Sequence, residues 1–291
     1  MMACHLGNVV RMGLDGTGST NNRIAAAIDT STPSVARVYD AFLGGKDNFE
    51  VDREVFRQID AIAPQMKELA RSGRAWLARA TRFLAGEAQM RQFLDLGAGL
   101  PSAENTHQVA QRLNPEAKVV YVDNDPVVAA HGRALLEEND RTHLVMADLR
   151  NPDEMWNNPQ IGKYLDLERP LVLMQCSTIH HVPDSEHPDE IMRRYIELLP
   201  SGSYLAFIHF HDPEDGSHGT QMARLVEDVF ARGAMGSGFF RTRDQIQSYF
   251  GDLEMVEPGL VRLNEWWPDG PSLRPMSVAD RIALAGVARK P

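Results

Sequence analysis

The chain has 291 residues, 43% of them hydrophobic and 24% charged, the composition of an ordinary globular protein. Thirty basic residues against forty acidic ones leave a formal charge of −10, so neither nucleic acid nor an anionic membrane surface is an expected partner. Two cysteines, Cys4 and Cys176, are too few for a disulfide framework and point to a reducing, cytoplasmic setting.

No apolar run approaches the ~20 residues of a membrane helix, and Met1 to Val10 lacks the basic start and long apolar core of a signal peptide. Residues 1–31 show no periodicity, and Gly13 to Asn22 is rich in Gly, Thr, Ser and Asn, so a flexible leader is expected there. Pro33 suits the first position of a helix behind Thr32 as N-cap. Val35, Val38, Tyr39 and Phe42 share one face of it, and Gly44-Gly45 stops it. The polar turn Lys46-Asp47-Asn48 reads either as a surface helix end or as a flap whose Gly-Gly-Lys turn, with Tyr39 and Gly45, closes over a ligand. A second helix over 51–63 carries Val51, Val55, Ile59 and Ile62 on one stripe. A third over 65–85 carries Met66, Leu69, Trp76, Leu77, Ala80, Phe83 and Leu84 at helical spacing, with Arg71, Arg74, Arg79 and Arg82 mostly on solvated faces. Residues 32–90 are thus expected to be a helical cap ahead of an α/β domain over 91–291.

From Phe93 the pattern changes to strands alternating with helices, the mark of a mostly parallel sheet covered on both faces. Phe93 to Leu96 reads as a buried strand that runs through Gly97 and Gly99 into a helix over 103–113. Such a turn offers backbone N–H groups and a helix N-terminus to a ligand, and glycine permits close approach. Further strands are expected over 118–122, ending in Asp123-Asn124-Asp125, and over 143–147, ending in Asp148. Two more span 170–176, ending at His180-His181, and 203–210, ending in His209-Phe210-His211-Asp212. Helices are expected over 127–138, 189–199, 221–233 and 242–250. Short strands flank the Pro258-Gly259 turn in a hairpin-like segment, and a closing strand over 282–288 makes the last pair antiparallel.

Ligands of open α/β sheets sit at the carboxyl ends of strands. Three successive ends carry Asp95-x-Gly97, Asp123 and Asp148, and each suits one part of an adenosyl ligand. Asp95 accepts from a cationic amine, Asp123 beside Asn124 from both ribose hydroxyls, and Asp148 from the adenine amino group, with the Leu149 N–H for a ring nitrogen. The dinucleotide pattern G-x-G-x-x-G is broken by Pro101 and Ser102. S-adenosylmethionine is therefore expected, with a nicotinamide oxidoreductase as the rival.

Taken in order, the motifs resemble the class I S-adenosylmethionine-dependent methyltransferases. More narrowly they resemble the S-adenosyl methyltransferase family, once described only as a domain of unknown function. The likeness is carried by Pro33-Ser34-Val35-Ala36-Arg37-Val38-Tyr39-Asp40, Leu43-Gly44-Gly45-Lys46-Asp47-Asn48-Phe49, Asp95-Leu96-Gly97-Ala98-Gly99-Leu100-Pro101, Tyr121-Val122-Asp123-Asn124-Asp125-Pro126 and Glu257-Pro258-Gly259-Leu260-Val261. It runs from about residue 33 to 288. It implies a Rossmann-like seven-stranded sheet behind an N-terminal helical cap, and methyl transfer with cofactor binding at Asp95, Gly97, Asp123 and Asp148. It names no acceptor.

Displacement at a sulfonium methyl releases a neutral thioether, so no metal and no acid for the leaving group are expected; the protein aligns the reactants and excludes water. An oxygen or nitrogen nucleophile also calls for a base. His180, His181, His209, His211 and Asp212 gather at the ends of the fourth and fifth strands, and His180 and His209 are the candidate bases, against a simple polar lining. Trp266-Trp267 and Tyr39 are candidate pocket walls, and Cys176 reads as core. The expected function is methyl transfer to a small-molecule acceptor; the alternative is a non-catalytic S-adenosylmethionine sensor or regulatory protein.

Overall fold

A computed structural model describes residues 29–102, 104–135, 139–271 and 275–291. Of the leader expected over 1–31, residues 1–28 lie outside the described residues. Three helices come first: α1 (Val35–Leu43), α2 (Glu50–Ile62) and α3 (Met66–Arg82). α1 starts two residues later than Pro33 suggests. Ser34 is extended (φ −113°, ψ 142°), with its N–H on Asp52 Oδ1 at 3.0 Å and its hydroxyl on Asp125 at the edge of the sheet. Gly44 ends α1 in the left-handed conformation at φ 80°, as glycine alone does without strain. α3 runs into a π-turn over Phe83–Glu87. Arg79, expected on a solvated face, is buried instead. Its guanidinium donates to the carbonyls of Leu263 at 2.6 Å and Trp266 at 3.2 Å and so ties α3 to the C-terminal part of the chain.

The α/β part then runs β1 (Gln92–Leu96), α4 (Thr106–Leu113), β2 (Lys118–Asp123), α5 (Pro126–Leu135), β3 (Thr142–Met146), α6 (Pro152–Trp156), α7 (Pro159–Tyr164) and β4 (Val172–Cys176). It continues with α8 (Pro188–Leu198), β5 (Tyr204–Phe210), α9 (His218–Ala231), α10 (Arg243–Ser248), β6 (Glu254–Met255), β7 (Val261–Arg262) and β8 (Ala283–Arg289). The sheet order is β3-β2-β1-β4-β5-β8-β6. The first five strands are parallel and β8 is antiparallel to β5. β6 and β7 do not form a hairpin with each other. Both pair with the same edge of β8, at Met255↔Ala288 and Val261↔Ala285, so eight strands occupy seven positions. α4 begins at Thr106 rather than near 103, because Asn105 is extended and its N–H is taken by the Gln108 side chain at 3.0 Å. Residues 136–138, the expected end of α5, lie outside the described residues.

Alternation along the strands sorts the side chains into two cores. Phe93, Val119, Tyr121, Val172, Met174, Ala206 and Ile208 face α1–α5 and α9. Leu94, Leu96, Val120, Val122, Leu173, Leu205 and Phe207 face α6–α8 and α10. Asp95 and Asp123 have the parity of the first set, so both carboxylates project to the side of the sheet that α1–α5 and α9 cover. Among the described residues, no helix is long and apolar enough to cross a membrane.

Candidate active site

Strand order reverses at β1, with β2 on one side and β4 on the other, and that is where open α/β sheets leave a crevice. A cavity of about 630 Å³ lies there between the strand ends, α1 and α3. Small-molecule sites span about 300–1,000 Å³.

Asp95 lines the cavity and is 6% exposed; its Oδ2 accepts the Thr106 hydroxyl at 2.7 Å. Burial pushes its carboxyl up to about 6. The glycine turn behaves differently from the expectation of bare N–H groups. Gly97 and Ala98 donate to the Val122 carbonyl at 2.7 and 3.0 Å, and Gly99 donates to Asp123 Oδ2 at 2.9 Å. These N–H groups clasp β2 rather than waiting for a ligand, and α4 begins only at Thr106, several residues beyond the turn. Gly97 and Gly99 both have positive φ, at 76° and 65°. A Cβ at Gly97 would stand 2.2 Å from Thr178 Cγ2, whereas one at Gly99 would meet nothing within 4 Å. Gly97 thus admits the β4 loop, and Gly99 is the open side of the turn.

Asp123 and Asn124 line the cavity at the end of β2. Asp123 accepts the N–H groups of Gly99 and Asp125, both at 2.9 Å, and burial raises its carboxyl above the usual range. Asp148 and Leu149 line it from β3. Arg150 grips Asp148 with its Nε 3.0 Å from each carboxylate oxygen and holds that carboxyl below its ordinary range. The Leu149 carbonyl accepts the Tyr195 hydroxyl at 2.7 Å. Tyr39 also lines the cavity; its hydroxyl donates to the Ala70 carbonyl at 3.0 Å, and burial pushes its pKa up to about 12.

Gly45 does not reach the cavity lining. A Cβ there would stand 1.9 Å from Asp40 Oδ1. The buried Asp40 carboxylate takes the Asp47 N–H at 3.0 Å and the Asn48 amide at 2.7 Å, so Gly45 lets the turn fold around that carboxylate. Neither Trp266 nor Trp267 lines the cavity: Trp266 packs under Trp76 with ring centroids 5.6 Å apart, and Trp267 is 44% exposed. Cys176 does line it, and burial raises its thiol well above the ordinary range.

The histidines divide between the two faces of the sheet. His180 lines the cavity, stacked on Phe210 at 3.7 Å, with Nδ1 accepting the Phe210 N–H at 3.4 Å. His181 lines it too, half-buried, with Nδ1 3.0 Å from Ser237 Oγ. Desolvation lowers both, His180 well below its ordinary value and His181 to about 4. His209, the other candidate base, is on the opposite face and outside the lining. Its parity on β5 is that of Leu205 and Phe207. Arg241 Nη1 lies 3.0 Å from His209 Nε2, and the Phe210 carbonyl lies 2.6 Å from Nδ1. Arginine only donates, so Nε2 accepts, Nδ1 carries the proton, and the ring is neutral. Burial, then Arg241, pushes its pKa down to about 3. Its lone pair is already committed, which removes His209 as a base. His211 is also outside the lining, with Nδ1 3.1 Å from the Arg281 carbonyl.

A pH prediction follows for His209. Its folded pKa, near 3, lies below the unfolded value of 6.5, so the unfolded chain binds the proton first. Stability is then lost as pH falls from 6.5 toward 3. Between pH 7 and 5 the loss is about 2 kcal/mol. Urea unfolding of H209Q and wild type at both pH values isolates it: the gap between them is expected to narrow by that amount at pH 5. An unchanged gap contradicts the buried, neutral assignment.

Two lining residues were given lesser parts by the sequence: Arg74 was assigned to a solvated face, and His181 was named only as a member of the histidine cluster. Arg74 donates to the Glu104 carbonyl at 2.6 Å, and its charge is felt at Asp95 and Tyr39. Met66, Ala70, Gly73, Arg74 and Leu77 all line the cavity at helical spacing on α3, which is the signal that could have placed Arg74 there.

The sequence profile of the S-adenosyl methyltransferase family matches residues 21–291. Among solved structures, one assigned as a methyltransferase from Thermobifida fusca is 40% identical, with a TM-score of 0.83 over 94% of this chain and 99% of its own. A DUF574 family protein from Streptomyces avermitilis is 37% identical, with a TM-score of 0.83 over 90% of this chain and 99% of its own. No curated protein matched the chain.

Proposed function

The chain belongs to the S-adenosyl methyltransferase family, and from that premise we propose how its cavity takes the cofactor and what kind of acceptor it serves. The protein is an S-adenosylmethionine-dependent methyltransferase. The cofactor supplies a sulfonium methyl whose transfer leaves a neutral thioether. The observation that carries the binding scheme is that Asp95, Asp123 and Asp148, from three successive strand ends, line one cavity. Three carboxylates suit a ligand rich in donors and positive at sulfur and nitrogen, and they repel a pyrophosphate. The open side of Gly99 leaves room for close approach.

In this scheme Asp95 receives the α-ammonium and Arg74 the α-carboxylate of the amino-acid end. Asp123 and Asn124 hold the ribose hydroxyls. Asp148 and the Leu149 backbone meet the adenine edge, and Gly97 and Tyr39 shape the walls. Gly45 acts only through the turn it closes. Residues 32–90 serve as the cap and 91–291 as the catalytic domain. The acceptor is a small molecule, in keeping with a bounded cavity of this volume. A free thiol at Cys176 and the acidic net charge suit a cytoplasmic protein.

Calorimetry with S-adenosylhomocysteine and with NAD tests the scheme, and pH sharpens it. An ammonium partner needs Asp95 ionised, and its carboxyl titrates at about 6. The ionised fraction falls from about nine-tenths at pH 7 to about one-tenth at pH 5. Affinity for S-adenosylhomocysteine is therefore expected to drop about tenfold between those pH values, and D95N is expected to bind weakly with no such step. NAD binding in place of S-adenosylhomocysteine would sink the scheme.

A further inference from the structure

We propose that the acceptor is a neutral aromatic alcohol, a phenol, seated against the ring-lined half of the cavity with its hydroxyl on His181 Nε2. This rests on the cofactor scheme above, which fills the half at the ends of β1, β2 and β3.

The cavity has two unlike halves. At the ends of β1, β2 and β3 it is carboxylate-rich. Beyond the ends of β4 and β5, and from α1 and α9, Phe42, Phe230, Phe210, His180 and His181 line it as one chain of ring contacts. Phe42 meets Phe230 edge-on at 6.4 Å, Phe230 lies nearly parallel to Phe210 (6°, 6.3 Å), and Phe210 is parallel to His180 (12°, 3.7 Å). His181 stands edge-on to Phe210 at 6.4 Å. Phe210 also stacks on Phe240 at 4.7 Å, so the group meets an acceptor through its remaining faces and edges, where an aromatic ring gains edge-to-face or offset contact that a saturated one of equal size does not.

This ring group carries no charged side chain. An anionic or cationic acceptor would lose its hydration there without a partner, which costs several kcal/mol. A phenol ionises near pH 10, as tyrosine does, and so enters neutral. Its O–H needs one acceptor. Ser237 Oγ engages His181 Nδ1 at 3.0 Å, and among the described residues no group hydrogen-bonds Nε2. With Nδ1–H donating to Ser237, Nε2 presents a lone pair to the cavity, and burial keeps the ring neutral. Ser237 is then a positioning residue.

The step balances. A lone pair of the hydroxyl oxygen forms the O–C bond while the C–S bond breaks with its electrons going to sulfur. The hydroxyl proton passes to His181 Nε2 and then to solvent. One positive charge moves from sulfonium to imidazolium, so the site keeps its net charge through transfer. A weak base suffices, because the proton becomes strongly acidic only as the O–C bond forms.

The test titrates the protein, loaded with S-adenosylhomocysteine, with three probes: 2-naphthol, 2-naphthoate and decahydro-2-naphthol. Binding of 2-naphthol is expected to be at least tenfold tighter than that of the anion or the saturated alcohol. Met235→Trp, which fills this half, is expected to abolish it while leaving the affinity for S-adenosylhomocysteine within threefold. Excited 2-naphthol emits as its anion when its hydroxyl sits on a base, and H181F is expected to lose that emission. If S-adenosylhomocysteine binds but the anion or saturated alcohol binds as well as 2-naphthol, or M235W leaves naphthol binding intact, the acceptor class is wrong and the cofactor scheme survives. Anion-type emission persisting in H181F removes His181 as the partner. Failure of S-adenosylhomocysteine to bind overturns the cofactor scheme and this proposal with it.

Discussion

Replacing Asp123 with asparagine is expected to weaken S-adenosylhomocysteine binding by about 100-fold. An ionised carboxylate can accept both ribose hydroxyls, and hydrogen bonds to a charged group contribute about 1.5–3 kcal/mol each. Asparagine keeps one acceptor oxygen and adds two donors. Asp123 already takes the Gly99 and Asp125 N–H groups, so the remaining oxygen goes to the protein and the ribose faces donors instead. Losing about 3 kcal/mol corresponds to roughly 100-fold. Calorimetry at pH 7.5 measures it, with a urea midpoint as control because the side chain also clasps the glycine turn. Binding within threefold of wild type would remove Asp123 from the ribose site.

Arg241→Met is expected to cost about 2–4 kcal/mol in folding stability. Arg241 is 3% exposed and lies on the face away from the cavity. It donates to His209 Nε2 at 3.0 Å, to the Val182 carbonyl at 2.8 Å and to Asp184 at 2.7 Å. Methionine fills much of the volume but leaves His209 and the Val182 carbonyl buried without a donor, at about 1–3 kcal/mol each. Asp184 is exposed and is re-solvated, so its loss adds little. The Val182 carbonyl belongs to the segment that bears His180 and His181. Urea unfolding at pH 7 checks the prediction; a loss under 0.5 kcal/mol would mean that the network does not hold that segment.

The sheet was legible because its signals are local. Each parallel strand is a short apolar run closed by an acid or a polar turn, and β1, β2 and β3 end within a residue or two of their expected bounds. Helix starts were less legible. The start of α1 depends on Ser34 reaching Asp52 and Asp125, partners 18 and 91 residues away, which no local propensity encodes. The split last position of the sheet was read as a hairpin because β6 and β7 are neighbours in sequence. Both instead follow β8, whose unpaired edge satisfies more backbone hydrogen bonds than two residues from each can offer one another.

By itself the sequence determined the parity of Asp95 and Asp123 on their strands, the acid at each of three successive strand ends, and the glycines between. These follow from two-residue side-chain alternation and from the backbone angles that glycine alone takes freely. Only the tertiary structure decided what those groups can still offer. It spent the Gly97 and Ala98 N–H groups on β2, closed Gly45 around Asp40, and turned His209 to the far face beneath Arg241. It also brought Arg74 and His181 into the cavity. The physical reason is that a hydrogen-bonding group serves a ligand only if no buried neighbour has claimed it, and neighbours distant in sequence become known only once the chain has folded.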